Sequence, residues 1–202
     1  MAGRIVILNG PPRSGKSSIA KAMQARLDGL WINYGVDGLM RMTPEAFRPG
    51  IGLRPGGERP DLEPVVRRLY GALFGSIAAS ARAGIDIVAD LGIHDDYSEP
   101  LGILPDAVRR LNGLPVLFVG VTAPIDTIMA RRNADTENGT YAAGPDVPPP
   151  VRRWQDAPHA HGVYDLWIDT SRLSPEAGAA EIEKTLADPP APSAFERLAK
   201  AH

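Results

Sequence analysis

Short apolar runs rich in Val and Ile recur along the chain, and between them lie longer stretches whose apolar residues return every third or fourth position. The short runs predict strands at 4–9 (RIVILN), 31–35 (WINYG), 85–90 (IDIVAD), 114–122 (LPVLFVGVT) and 164–170 (YDLWIDT). The periodic stretches predict helices over 17–27, 63–84, 104–111, 124–134 and 174–187. Strands that are apolar on both faces and alternate with helices imply an α/β fold, with a five-stranded parallel sheet covered on both sides.

Two stretches break this alternation. Residues 48–61 (RPGIGLRPGGERPD) and 136–150 (TENGTYAAGPDVPPP) are crowded with Gly and Pro, and neither is expected to hold a regular element. Long loops of this kind commonly serve as covers over a site, so segments of about 48–62 and 134–150 are candidate lids. The tail from Asp188 reads as a linker with a possible short helix and no legible chemistry. There is no internal repeat, and 202 residues suit a single domain.

Composition narrows the function. Lys and Arg number 22 against 24 Asp and Glu, a net charge of −2 that gives no field to hold a nucleic-acid backbone or an anionic membrane. The longest apolar runs are far shorter than the ~20 residues of a spanning helix. The absence of cysteine removes disulfide and thiolate chemistry and is compatible with a reducing cytoplasm. Nothing in the pattern decides the oligomeric state.

Between the first strand and the first helix stands GPPRSGKSS: Gly10, Pro11, Pro12, Arg13, Ser14, Gly15, Lys16, Ser17 and Ser18. Gly10, Gly15, Lys16 and Ser17 have the spacing of a phosphate-binding loop. Its glycines let backbone N–H groups wrap a phosphate, its Lys reaches the terminal phosphates, and its Ser hydroxyl ligates Mg²⁺. ATP with Mg²⁺ is the expected ligand. In an open parallel sheet, ligands bind beyond the carboxyl ends of the strands, so Asp37 after the second strand should face the same crevice. It is a candidate base for an attacking hydroxyl, or else a cap of a following helix. Asp90, ending the third strand, is a candidate Mg²⁺ partner beside Ser17, or a turn residue; Asp95 and Asp96 are nearby alternatives. Arg131 and Arg132 could close over a transferring phosphate or complement a helix C-terminus, with Arg152 and Arg153 as second candidates. His159 and His161 lack a third ligand type for a metal and suit structural or substrate contacts. Trp31, Tyr34, Phe47 and Trp154 suit core or lid packing, and Tyr34 and Phe47 flank Asp37 closely enough to line an acceptor pocket.

Taken in order, IVILNGPPRSGKSSIA, YGVDGL, ARAGIDIVAD, LFVGVTAPIDTIMARR and HGVYDLWIDTS resemble the chloramphenicol phosphotransferase-like proteins, over residues 4–173. The resemblance implies an ATP-dependent O-phosphotransferase with a three-layer, shikimate-kinase-like phosphate-loop fold. It makes Asp37 the general base for a substrate hydroxyl and assigns lid duty in part to Arg131 and Arg132. The chain departs from the family in its lid, where RRNADTENGTYAAG replaces an Arg-Gly-Asp-Arg-like run. The implied acceptor is a small hydroxylated molecule, such as an antibiotic of the chloramphenicol kind. A metabolite, nucleoside or sugar-nucleotide kinase is an alternative, and a nucleotide-dependent switch is the non-enzymatic one.

Overall fold

The computed structural model describes residues 1–135 and 144–201. All five expected strands form: β1 (Ile5–Asn9), β2 (Trp31–Asn33), β3 (Asp86–Leu91), β4 (Val116–Thr122) and β5 (Leu166–Asp169). They make one parallel sheet in the order β2-β3-β1-β4-β5. The helices are α1 (Lys16–Arg26), α2 (Val36–Met42), α3 (Glu63–Arg82), α4 (Ile103–Arg110), α5 (Ile125–Ala134), α6 (Pro149–Asp156), α7 (Pro175–Ala187) and α8 (Ala194–Ala201).

Successive strand residues point to opposite faces, so each apolar run supplies two cores. Val6, Leu8, Val88, Leu117 and Val119 pack with Ile19 and Met23 of α1 and Ile182 of α7. On the other face Ile5, Ile7, Ile87 and Phe118 pack with α3, α4 and α8. The result is three layers, helix on sheet on helix. Helix α3 buries Val66, Tyr70, Phe74, Ile77 and Ala81. That spacing of three or four is the stripe of a helix lying on a sheet.

The Gly- and Pro-rich segments differ from expectation where they are described; residues 136–143 of the second candidate lid lie outside the described residues. Residues Gly50–Leu53 form a 3-10 turn, and α6 starts at Pro149 and Pro150. Proline breaks a helix only where its missing N–H would have been used, and the first turn uses none. Helix α2 had no counterpart in the hydrophobic pattern because it buries no residue fully. The tail is also more than a linker: Ala194, Phe195 and Leu198 of α8 join the second core, with Phe195 set edge-on to Phe118 at 5.3 Å.

The chain runs from central β1 to edge strand β2, returns to β3 beside β1, and crosses to β4 on the other flank of β1. The loop after β1 therefore opens at the point where the strand order reverses, the usual place for a ligand crevice. Asn9, at that end of β1, is fully buried. Its Oδ1 accepts from the Ile93 N–H at 2.6 Å, and its Nδ2 donates to the Pro158 carbonyl and the Tyr164 hydroxyl, both at 2.9 Å. Asn9→Ala would strand these buried groups. A loss of about 3 kcal/mol in urea unfolding is expected, and an unchanged midpoint would show that the network contributes nothing.

Candidate active site

The residues between β1 and α1 are bent to a degree that their types explain. A Cβ on Gly10 would lie 2.0 Å from the Val121 carbonyl oxygen, so only glycine fits there. Gly15 has φ +94 where α1 begins. Arg13 is also left-handed, with φ 65, a conformation that costs a non-glycine residue about 1–2 kcal/mol. Two contacts hold it. Its guanidinium pairs with Asp135 at 2.8 Å, and its carbonyl accepts from Arg131 Nη1 at 3.0 Å. Arg131 also donates to the Thr170 hydroxyl and carbonyl at 2.9 and 2.8 Å, and the Thr170 hydroxyl donates to the Ser14 carbonyl at 2.7 Å. Arg131 and Thr170 thus clamp the loop from the α5 and β5 side.

Lys16 is buried, and its Nζ donates to the carbonyls of Gly10 and Pro11 at 2.9 and 2.8 Å. Asp90 Oδ1 stands 3.8 Å from the same nitrogen. Burial pulls the Lys16 pKa below its ordinary value, and the nearby charges of Asp90 and then Asp37 oppose that shift. Ser17 Oγ hydrogen-bonds Asp90 Oδ2. The parallel register that pairs Leu8 with Asp90 puts this carboxylate beside the loop. A hydroxyl and a carboxylate side by side form an oxygen-only donor set, the kind a hard cation such as Mg²⁺ prefers.

Asp37 lies in the first turn of α2. It does not cap that helix: Gly35 holds the cap position, and no side-chain cap bond forms. Its carboxylate is exposed to a cleft of about 1180 Å³. Gly10, Lys16, Ser17, Asp90, Arg131 and Arg132 line the same cleft, as do Pro12, Arg13, Gly15 and Ser18. Pro11 and Ser14 sit behind the lining, buried. Arg132 is buried against the cleft wall.

Of the remaining sequence candidates, Trp154 lines the cleft and the others fall outside its lining. The Tyr34 hydroxyl bonds Ser80 Oγ at 2.9 Å and its ring packs on the core, while Phe47 is exposed; neither lines the cleft, contrary to expectation. Asp95 Oδ1 accepts from the N–H groups of Leu101 and Gly102 at the start of α4. Arg153 lies over Gly56, where a Cβ would meet its Nη1 at 2.2 Å. His159 Nδ1 meets the Tyr164 hydroxyl at 2.9 Å, and His161 stacks on Phe118. Burial lowers both pKa values, that of His159 to about 4, and no metal-ligand cluster exists among the described residues.

Several cleft residues were not singled out by sequence. Met40 and Arg41 come from α2, Leu53 and Arg54 from the first Gly- and Pro-rich segment, and Tyr70 from α3; Trp154 of α6, expected to pack in the core or a lid, lines the cleft beside them. Gly92 makes room for Trp154, whose ring would lie 3.0 Å from a Cβ there. His94 ties the first candidate lid and helix α6 to the sheet: its Nε2 donates to the Leu53 carbonyl at 3.0 Å, and its ring meets Trp154 edge-on at 4.9 Å. The Asp96 N–H donates to Nδ1, which fixes the neutral tautomer with its proton on Nε2. Among the described residues no helix is long and apolar enough to cross a membrane.

The model of the chloramphenicol phosphotransferase-like proteins matches residues 3–187, and the chain belongs to that family. A Mycobacterium tuberculosis protein named as an O-phosphotransferase is 28% identical over 216 residues, covering 98% of this chain and 88% of its own. Among solved structures, shikimate kinase from Acinetobacter baumannii with bound shikimate has a TM-score of 0.61 at 15% identity, over 92% of this chain and 93% of its own. A sugar kinase from Janibacter has a TM-score of 0.60 at 17% identity, over 95% and 98%. The fold is that of the phosphate-loop kinases, and the chain is a phosphotransferase.

Proposed function

We propose that this member of the chloramphenicol phosphotransferase-like family moves the γ-phosphoryl group of ATP onto a hydroxyl of a small molecule, in the cytoplasm where ATP is made. The observation that carries the reading is the pairing, in one cleft, of a phosphate loop with an uncapped carboxylate, Asp37, on the opposite lip.

The chain's own groups divide the work. The backbone N–H groups of Arg13, Gly15 and Lys16 cradle the phosphates, and the Lys16 ammonium exchanges the Gly10 and Pro11 carbonyls for phosphate oxygens. Ser17 and Asp90 would hold Mg²⁺, which supplies charge neutralisation on the phosphates. Arg131 keeps the loop in its strained shape, a positioning duty more than the phosphate-closing one expected of it, and Arg132 borders the transferring group. Asp37 Oδ takes the proton from the acceptor hydroxyl as its oxygen attacks the γ-phosphorus and the bond to the β-phosphate breaks. The segments around Leu53 and Trp154 cover the acceptor and keep out water, which would otherwise accept the phosphoryl group.

Two acceptor classes suit an alcohol beside Asp37: a hydroxylated antibiotic such as chloramphenicol, and a metabolite alcohol. A screen of ADP release over both classes, with mass spectrometry for an added phosphate, is expected to find an acceptor that raises ADP release at least tenfold over the hydrolysis background. ADP release indifferent to every acceptor would leave a nucleotide-dependent switch as the better reading.

A further inference from the structure

The acceptor half of the cleft has a charge that the transfer reaction does not use. On the donor half Lys16 faces Asp90, Arg13 is paired with Asp135, and Arg131 is engaged with Arg13 and Thr170, while Arg132 borders the cleft. On the acceptor half the only carboxylate among the described lining residues is Asp37, yet two guanidinium groups, Arg41 and Arg54, stand there.

Arg41 lies one helical turn beyond Asp37, so both occupy the same stripe of α2, with Val36 and Met40 beside them in the cleft lining. Its Nη2 lies 3.9 Å from the point where Gly38 would carry a Cβ, so the guanidinium lies back over the preceding turn of α2. It forms no hydrogen bond or ion pair among the described residues. Arg54 rises from the 3-10 segment, with its side chain only 13% exposed and its Nη1 4.0 Å from Glu58. Met40, Leu53, Val151 and Trp154 make the wall between apolar. Arg54, covered by these walls, attracts an anion more strongly than a cation in open water, while Arg41 stays exposed.

From this arrangement we infer that the acceptor is a small alcohol that also carries a carboxylate or phosphate, held by Arg41 and Arg54 while its hydroxyl meets Asp37. Four residues of helix separate Asp37 and Arg41 by about 6 Å along the axis, enough for a compact ring or short chain between hydroxyl and anion. A guanidinium fork fits two anionic oxygens at once, so it orients the acceptor as well as holding it. The inference rests on the kinase reading for the role of Asp37 and selects the metabolite class over a neutral antibiotic.

The test is isothermal titration of the full chain, loaded with Mg²⁺ and a non-hydrolysable ATP analogue, against hydroxy acids and sugar phosphates and against the methyl esters or unphosphorylated parents of each. At least one acid should bind ten times more tightly than its neutral partner. Arg41→Met should reduce that preference at least fivefold without changing the affinity for the ATP analogue. Equal binding of every acid and its neutral partner, tighter binding of chloramphenicol than of any acid, or a preference that survives both Arg41→Met and Arg54→Met would overturn the inference. Failure of the kinase reading would look different: the ATP analogue would not bind, or a bound acid would never be phosphorylated when ATP replaces the analogue.

Discussion

Asp37→Asn should lower phosphoryl transfer by about 10²–10⁴-fold, the usual contribution of a positioned general base, while ATP affinity and melting temperature stay within error. The structure makes this a clean substitution. Asp37 is exposed to the cleft, caps nothing and makes no hydrogen bond among the described residues, so the amide strands no partner. The loss should fall on kcat, because Asn keeps the size of the side chain and gives up only the capacity to take a proton. Stopped-assay rates with a saturating acceptor, alongside nucleotide titration, check both halves. Transfer that persists at the parental rate would remove Asp37 from the mechanism.

Lys16→Met should lower transfer by about 10²–10³-fold, the cost of removing one preorganised charge from developing transition-state charge. Two effects on the fold oppose each other. Burial holds the Lys16 pKa below 10.5, so the folded chain binds fewer protons than the unfolded one as pH rises from the folded pKa toward 10.5. Stability therefore increases with pH through that window, and below it the charged lysine carries a burial penalty. Methionine removes that penalty with little change of volume but leaves the Gly10 and Pro11 carbonyls without the Nζ donor, so the variant should stay folded and melt close to the parent at neutral pH. In the parent, the alkaline limb of kcat/KM for ATP should fall below the ordinary lysine range, since that quantity reports the free enzyme. A variant that loses activity together with its fold would show that Lys16 serves structure instead.

The donor half of this site was legible in the sequence, and the acceptor half mostly was not. The phosphate loop combines residue types that are rare together with a strand before it and a helix after it, and each of those signals is local. Asp90 was legible for a related reason: it ends a continuous apolar run, and parallel strands share their carboxyl ends. Arg131 stood out by position, but its partners, the Arg13 carbonyl and Thr170, are 118 and 39 residues away and only the fold joins them. The acceptor wall comes from segments that lack a hydrophobic period. Helix α2 buries none of its residues, and α6 begins on two prolines that read as a breaker when met without a start point. Leu53 and Trp154 reach the cleft because His94 and Gly92, just past the end of β3, receive their two segments. Asn9 was hidden for a similar reason, as one polar residue closing an apolar strand, whose three bonding partners, Ile93, Pro158 and Tyr164, all lie over 80 positions away.

The central claim is that phosphate passes from ATP to an acceptor hydroxyl under the action of Asp37. It is tested most directly by incubating γ-³²P-labelled ATP and the best acceptor from the screen with the parent and with Asp37→Asn, then separating the products. The parent should place the label on the acceptor, and the variant should leave it in ATP. Label found only in inorganic phosphate with the parent, or label on the acceptor to the same extent with both proteins, would contradict the account.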